Sequence, residues 1–401
     1  MNDAQAAVSA APHHAAPVAE RFEFVGLVAL VGVGALLQFS IAASQILLTV
    51  AAFCWAAVLV IDHERLQAPR FFWPLVAYGA LTLVSAAFSI DPRASLIDCK
   101  QLVLFLIVPI TYRFVTGARS WTLLTVVLSV GAASAALGIF QYGLLHYDYL
   151  GQRPRGLLGH YMTYSGLLML VIGIGVARLL FGRKDRLWAA LVMPALVMTL
   201  ALTLSRSAWI GACVAAALLF TLKDFRLFAV LPIVLAIGFL AAPTVVTQRF
   251  ASLFDPTDAT RRDRVAMLRE GAHMVAAHPL VGVGPNMVKV VYEQYRDPEA
   301  VEKINPHLHN VPVQIAAERG IPALIAWLVF LAVLTVDLWR RFRSGEHRAV
   351  TATALAALAG MLAAGLLEYN FGDSEFLMLF LILITLPFSA AAPPRDGGAA
   401  A

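Results

Sequence analysis

Runs of apolar residues long enough to cross a lipid bilayer recur along nearly the whole chain, and they constrain its fold more than any other feature. A transmembrane helix needs about 20 mostly apolar residues. The runs are continuous rather than alternating, which argues against a membrane β-barrel. The sequence therefore predicts an all-α polytopic membrane protein of about twelve transmembrane helices, at 24–38, 41–61, 72–90, 101–115, 121–145, 161–181, 188–204, 207–222, 227–245, 322–339, 349–367 and 376–391.

Composition agrees with a single membrane bundle. Apolar residues make up 60% of the 401 residues and charged residues only 14%, which excludes an ordinary soluble domain. The three cysteines are scattered without a CxxC spacing, so we expect them to pack between helices. We predict disordered tails at 1–22 and 392–401, nine membrane segments over 23–245, an extramembrane catalytic loop at 246–321, and three segments over 322–391.

The short loops between the segments indicate the orientation. One set is basic, and basic short loops are typical of the cytoplasmic side. This set comprises 63–70, 112–119, 182–186, 223–226 and 339–348. The other set comprises 40–44, 91–100, 146–160, 204–208 and 368–376, and we place it with the long loop on the opposite side. In a bacterial inner membrane this orientation predicts cytoplasmic termini and a periplasmic catalytic loop.

Three arginines occur where the charge bias should have removed them: Arg153, Arg155 and Arg206. Arg206 lies between two apolar stretches, where an arginine costs about 2.5 kcal/mol or more unless it is paired or faces water. It could instead extend to the membrane surface. Because the long loop adds further arginines on the same side, we expect a shared anion-binding site.

The loop itself begins with an amphipathic pattern. Thr260 and Asp263 resemble a capping box, which predicts a helix starting there. An apolar stripe then follows at Val265, Leu268, Ala272 and Val275, so we expect this helix to lie on the bundle with that face inward. Arg261 and Arg264 fall beside the stripe near the helix N-terminus, where free N–H groups favour an anion. Pro279, Gly282 and Gly284 should end the helix in a tight turn.

A second loop helix should begin after Asn310, which is a good N-cap, and end at Gly320. His309 then lies at the positive end of the helix dipole, which disfavours the imidazolium form. A neutral His309 could accept a proton, although a lone histidine is more easily explained by a cap or a hydrogen bond. His307 is predicted to be structural, and His160 is a weaker second candidate. No HExxH motif, Asp-rich motif or carboxylate pair predicts a metal site.

Four of these stretches together resemble the O-antigen ligase and polymerase superfamily of bacterial inner membranes. They are RPRGLLGHYMTYSG (153–166), LTLSRSAWIG (202–211), HPLVGVG (278–284) preceded by Arg264, and HLHNVPVQIAAERGIPAL (307–324). The resemblance implies a GT-C-type glycosyltransferase fold and an undecaprenyl-diphosphate-linked glycan as donor. It places the functional arginines of the family at Arg206 and Arg264 and its His-Asn pair at His309-Asn310. Leu268 departs from the pattern, where relatives often have Trp.

Within this superfamily we expect an O-antigen ligase that transfers the glycan to lipid A–core, because the chain stops soon after the last helix. An O-antigen polymerase and a protein O-oligosaccharyltransferase stay open, and a lipid-linked sugar flippase or a structural assembly partner are non-enzymatic alternatives. The expected reaction is inverting and needs no metal, cofactor or nucleic acid. His309 is the predicted base and Arg206 and Arg264 bind the diphosphate, with additional donor contacts predicted at Arg153, Arg155, Arg261, Asn310 and His160.

Overall fold

A computed structural model of the protein describes residues 16–182, 185–255 and 257–391. Within these ranges the chain is helical, with no β-strand. Short 3-10 helices occur at Cys99–Leu106, Phe225–Ala229 and Asn370–Gly372. The α-helices are α1 (Ala16–Leu36), α2 (Ile41–Ile61), α3 (Phe72–Ala87), α4 (Pro92–Asp98), α5 (Ile107–Phe114), α6 (Arg119–Leu145), α7 (Tyr161–Phe181), α8 (Arg186–Leu202), α9 (Arg206–Lys223), α10 (Val230–Ala241), α11 (Thr244–Ala251), α12 (Ala259–Ala277), α13 (Val288–Tyr295), α14 (Val311–Ser344), α15 (Arg348–Gly365) and α16 (Ser374–Ala390).

The helix lengths fit a polytopic membrane protein. In the described part of the chain, seven spans are long and apolar enough to cross a membrane: 41–61, 92–114, 119–145, 161–181, 206–223, 311–344 and 348–365. Four further apolar helical stretches, 72–87, 186–202, 225–241 and 374–390, are shorter. Each of the twelve predicted segments overlaps a helix, but the helix lengths support only the polytopic class and not the count of twelve.

Two predicted boundaries differ from the structure. Helix α1 already begins at Ala16, inside the predicted tail, whereas residues 1–15 and 392–401 lie outside the described residues. The predicted segment 101–115 begins instead at Pro92, where the Asp91 side chain accepts a hydrogen bond from the Ala94 amide at 3.0 Å. Apolar runs alone do not reveal this start, because an N-cap residue and a proline in the first turn determine where the helix begins.

The centre of the bundle is formed by α7, α15 and α16. Every residue of α16 from Phe376 to Ala390 is buried, and α7 is buried over most of its length. A helix that is apolar on all sides is suited to such a central position. By contrast, α10 has no buried residue, so its apolar surface faces outward.

The polar loop forms a small helical layer of its own on one end of the bundle. Helix α12 packs against α13 and the first part of α14. Between them lies a separate apolar core that includes Met267, Met274, Val288 and Leu308. This layer therefore has its own packed interior and can hold side chains in fixed positions.

The face of α12 that packs inward is not the predicted one. Val265 and Leu268 are each 43% exposed, whereas Met267, Glu270 and Met274 are buried. The cap also differs, because Asp258 precedes the helix and accepts from the Arg261 amide at 3.1 Å. The acidic residues decide the orientation: Asp263 accepts from the amides of Val301 and Glu302, and Glu270 accepts from the Asp297 amide. Backbone amides satisfy the buried Asp263 carboxylate and one oxygen of Glu270, whereas Oε2 of Glu270 has no hydrogen-bond partner among the described residues.

The predicted turn and helix break are confirmed. Gly282 and Gly284 have positive φ angles of 68° and 108°, and the amides of Val283 and Gly284 donate to the carbonyls of Ala317 and Glu318, each at 2.9 Å. Gly320 interrupts α14 with a φ of 80°. A side chain at Gly320 would collide with the Leu280 carbonyl, so this crossing of two backbones requires glycine.

Four of the five short loops that the sequence grouped on one side meet the long loop at this end of the bundle, which we call the loop face (residues 89–101, 146–163, 203–206, 244–255, 257–310 and 366–374). The Gln101 amide donates to the Gly372 carbonyl at 2.5 Å, and the Thr163 hydroxyl donates to Asp373. Loops of the basic set meet elsewhere, for example where Arg113 pairs with Glu64 at 2.9 Å. The loop face therefore assembles residues from widely separated parts of the chain.

Candidate active site

A cluster of two histidines and one glutamate lies on the loop face. The Nδ1 atom of His309 lies 2.9 and 3.0 Å from the two carboxylate oxygens of Glu368. The Nε2 atom of His307 lies 3.2 Å from one of those oxygens, and the two imidazole ring centroids are 4.4 Å apart. We refer to His307, His309 and Glu368 as the histidine–glutamate cluster.

Helix ends position the members of this cluster. His309 has a left-handed φ of 48° directly before Asn310, whose side chain caps α14 by accepting from the Val313 amide at 3.0 Å. The Asn310 amide group also donates to the Leu366 carbonyl at 3.1 Å. Since Leu366 follows α15 and precedes Glu368, this bond ties the histidine segment to the glutamate segment. Both ends of the Asn310 amide are therefore engaged in positioning this segment, and the diphosphate contact of Asn310 stays a prediction.

The charge of Glu368 defines the state of His309. Burial by itself would raise the pKa of Glu368, but hydrogen bonds from His307 and His309 hold that pKa well below its usual range. An ionised carboxylate is an acceptor only, so Nδ1 of His309 carries the hydrogen. In the neutral imidazole this leaves Nε2 with a lone pair that can accept a proton. The arrangement is that of a base oriented by a carboxylate.

Glu368 was not among the residues predicted from sequence. It lies 59 residues from His309 along the chain, and no motif connects the two. The available signal was an acidic residue directly after an apolar segment, on the same predicted side as the arginine-rich loop. Such a position is costly for a carboxylate that has no partner.

The same three side chains also form a possible ligand set. One ligand atom from each of His307, His309 and Glu368 lies within 4.8 Å of the others. Two imidazoles and one carboxylate are ligands that Zn²⁺ accepts. The sequence-based statement that the chain offers no ligand set is therefore wrong, because the set is assembled only by the approach of α15 to the start of α14.

Arg206 forms a bidentate ion pair with Asp258. The two pairs of atoms are 3.0 and 2.9 Å apart, and both side chains are largely buried, at 6% and 13% exposure. Arg206 also donates to the Ser252 hydroxyl, whereas its Nε atom has no hydrogen-bond partner among the described residues. The hydrogen bond from Arg206 lowers the pKa of Asp258 to about 2. This ion pair differs from both environments expected for Arg206 from the sequence, a shared anion site and extension to the membrane surface.

Two other half-buried arginines near this ion pair lack such a partner. Arg264 makes no hydrogen bond or ion pair with the residues that the structure describes. Burial lowers its pKa, the Glu368 carboxylate opposes that shift, and Arg206 adds to it. Arg249 donates only a long bond of 3.4 Å to the Leu204 carbonyl. Burial, Arg206 and Arg153 together lower its pKa to about 10.

Arg206, Arg249 and Arg264 create a strongly positive region next to the histidine–glutamate cluster, which we call the cationic region. A guanidinium that loses water without gaining an anionic partner is destabilised. A bound anion would offset this desolvation cost and reduce the repulsion between the arginines. Arg249 was not predicted from sequence, because it lies in the unremarkable TQRFAS segment (247–252). Its role becomes visible only through its proximity to Arg206.

Of the remaining predicted residues, only one belongs to the cationic region. Arg153 stacks on Tyr161 at 3.7 Å from the ring centroid and contributes to the shift at Arg249, so it belongs to the cationic region. Arg155 and Arg261 are exposed and contact neither the cluster nor the buried arginines. His160 caps α7, with its Nδ1 atom accepting from the Met162 amide at 3.3 Å.

A cavity of about 340 Å³ lies beside the cluster, with His307 and Glu368 in its wall. His160, Thr163 and Asp373 line it from α7 and the turn before α16. None of the arginines of the cationic region lines this cavity. The histidine–glutamate cluster thus borders two different environments, one cationic and one rich in oxygen and amide groups.

Comparison with known proteins bears on the identity of this region. A family model described as O-antigen ligase matches residues 191–328. The match includes Arg206, Arg249, Arg264 and His309, but not Glu368. No curated protein matches the chain. The matched region, about a third of the chain, holds most of the site described above, and over these residues the chain is similar to the O-antigen ligase family.

Proposed function

We propose that the protein is an O-antigen ligase, which transfers a glycan from undecaprenyl diphosphate to lipid A–core on the periplasmic face of the bacterial inner membrane. The observation that carries this proposal is the pairing of an oriented imidazole with unpartnered, half-buried arginines. Glycosyl transfer from a lipid diphosphate requires both a base for the acceptor hydroxyl and positive charge for the leaving group.

In the proposed reaction, Nε2 of His309 removes the proton of an acceptor hydroxyl as its oxygen attacks the anomeric carbon. A C–O bond forms between acceptor and glycan while the bond from the anomeric carbon to the diphosphate breaks. Because this is a single displacement, the configuration at the anomeric carbon inverts. The electron pair leaves with undecaprenyl diphosphate, and His309 later releases its proton to water.

Arg264 and Arg249 are proposed to bind the diphosphate. Charge-assisted hydrogen bonds between guanidinium and phosphate are about twice as strong as neutral ones. Both arginines are available for such bonds, since neither is paired with a carboxylate of the described ranges. Arg153 adds charge nearby. As the C–O bond breaks, these groups stabilise the negative charge that develops on the leaving group.

Arg206 has a different task in this proposal. Its two terminal nitrogens are occupied by Asp258, so it anchors the start of α12, which carries Arg264, to the start of α9. It also contributes positive charge to the site. This assignment replaces the direct diphosphate contact that the sequence suggested for Arg206.

Reconstitution tests the proposal. The purified protein is incubated with an undecaprenyl-diphosphate-linked glycan and lipid A–core, and the lipid A product is analysed by mass spectrometry. We expect glycosylated lipid A–core, which should be lost in His309→Ala. His273→Ala is the matched control, since His273 is exposed on α12 and should leave activity unchanged.

The products discriminate between the alternatives. Elongated lipid-linked glycan without glycosylated lipid A–core would indicate a polymerase. Movement of the donor across the membrane without any covalent product would indicate a flippase. Full activity of a folded His309→Ala protein would reject His309 as the base.

A further inference from the structure

The 340 Å³ cavity beside the histidine–glutamate cluster has no role in the mechanism above. Its volume falls at the lower end of the range of small-molecule sites, about 300–1,000 Å³. Its walls come from five separate parts of the chain: the α4 region, the start of α7, the start of α13, the first part of α14 with the residues before it, and the turn before α16. A cavity of this size is large enough for a sugar residue.

Three polar side chains in the cavity wall have no hydrogen-bond or ion-pair partner among the described residues. Asp98, Asn286 and Lys289 line the cavity, and none of them forms a side-chain hydrogen bond or ion pair with the described part of the chain. Asn286 is held with a left-handed φ of 63°. Carboxylate, amide and ammonium groups are the partners that sugar hydroxyls require.

Buried polar side chains form the floor. Gln314, Glu318 and Arg319 are 1%, 2% and 6% exposed. Glu318 and Arg319 pair with each other at 2.7 Å, and Nε of Arg319 has no hydrogen-bond partner among the described residues. Leaving a buried polar atom without a hydrogen bond costs free energy. A hydroxyl oxygen of a ligand in the cavity would accept a hydrogen bond from this Nε atom.

The charge of the wall is opposite to that of the cationic region. Its carboxylates are Asp98, Glu318, Glu368 and Asp373, against Lys289 and Arg319 as cations. Arg319 is already paired with Glu318. A second phosphate would therefore meet uncompensated carboxylates, whereas an uncharged sugar would find acceptors for its hydroxyl hydrogens.

We propose that this cavity binds the sugar of the acceptor that receives the glycan, that Asp98 and Asn286 hold its hydroxyls, and that this sugar carries no phosphate. The proposal rests on the function proposed above and specifies its acceptor. Since Glu368 both lines the cavity and holds His309, an acceptor in the cavity lies next to the base. The donor diphosphate occupies the cationic region, and transfer runs between the two environments.

The test uses the full-length protein with steady-state transfer measured against acceptor concentration. In Asp98→Asn we expect the KM for lipid A–core to rise by about 10- to 150-fold, the range for losing one hydrogen bond that involves a charged group. In Asn286→Gly, which loses a neutral hydrogen bond, we expect a rise of about 2- to 12-fold. Glycine at position 286 keeps the left-handed backbone. The KM for the lipid-linked donor should not change. Glu293→Gln is the matched control, because it removes a carboxylate from exposed α13 outside the cavity.

A second arm compares two acceptors, lipid A–core ending in an unphosphorylated sugar and the same molecule with a phosphate on that sugar. We expect the unphosphorylated acceptor to be preferred by wild type, and the preference to shrink in Asp98→Asn. An unchanged acceptor KM in both folded variants, or a preference for the phosphorylated acceptor, overturns the cavity assignment. If glycosylated lipid A–core is still formed, the ligase proposal stands. Absence of product with every acceptor in wild type overturns the ligase proposal itself.

Discussion

Glu368→Gln is the most informative substitution in this protein. It preserves the size of the side chain but removes the charge that faces Nδ1 of His309 at 2.9 and 3.0 Å. A glutamine amide can donate to Nδ1, which would move the imidazole hydrogen to Nε2, the atom that must accept the proton. The proposed base would then be present in the wrong tautomer.

The expected loss can be worked from this contact. Glu368 and His309 are only 12% and 16% exposed, so water replaces the lost bond poorly. A general base in the correct tautomer contributes about 10²- to 10⁴-fold to the rate, and the wrong tautomer removes that contribution. We therefore expect kcat to fall by about 100- to 10,000-fold. The KM for the lipid-linked donor should stay the same, because Glu368 does not bind the diphosphate.

The assay is transfer to lipid A–core at saturating donor and acceptor, with thermal unfolding measured in parallel. Glu302→Gln serves as control, since Glu302 is exposed and its side chain has no hydrogen bond. An unchanged kcat in a folded Glu368→Gln protein would refute the role of Glu368 in orienting the base. A rise in donor KM with unchanged kcat would refute it as well.

Four further predictions concern the cationic region, the Arg206–Asp258 ion pair and the histidine–glutamate cluster. Arg249→Ala should raise the donor KM by about 10- to 150-fold through loss of a charged hydrogen bond, whereas exposed Arg262→Ala should not, as measured by donor titration of transfer. Arg206→Ala should destabilise the protein by about 3–5 kcal/mol by leaving Asp258 buried and unpaired, and adding Asp258→Asn should restore part of the melting temperature; no recovery would argue against an anchoring role. Because the pKa of Asp258 is lowered from 3.8 to about 2, its stabilising contribution is present above pH 3.8 and should disappear as the pH falls through 2 in thermal melts. EDTA should leave transfer unchanged and added Zn²⁺ should inhibit it by occupying the histidine–glutamate cluster, whereas loss in EDTA with recovery by Zn²⁺ would assign a required metal.

Local features of the site were predictable because their causes are local. The N-cap at Asn310 and the break at Gly320 depend on neighbouring residues along the chain, and both occur where expected. The prediction of the inward face of α12 was wrong because that face is determined by contacts with a distant segment. Its orientation depends on Asp263 and Glu270 bonding to backbone amides of residues 297–302, and no periodicity within the helix contains that information.

The sequence by itself determined the helical membrane class, because apolar runs of this length have few alternatives in a bilayer. It also singled out Arg206, Arg264 and His309, whose charge or position needed an explanation. Only the tertiary structure decided their partners: Glu368 for His309, Asp258 for Arg206, and none for Arg264 among the residues that the structure describes. Those partners come from distant segments that meet when helices pack, and the packing is set by shape and burial over the whole bundle rather than by any single stretch.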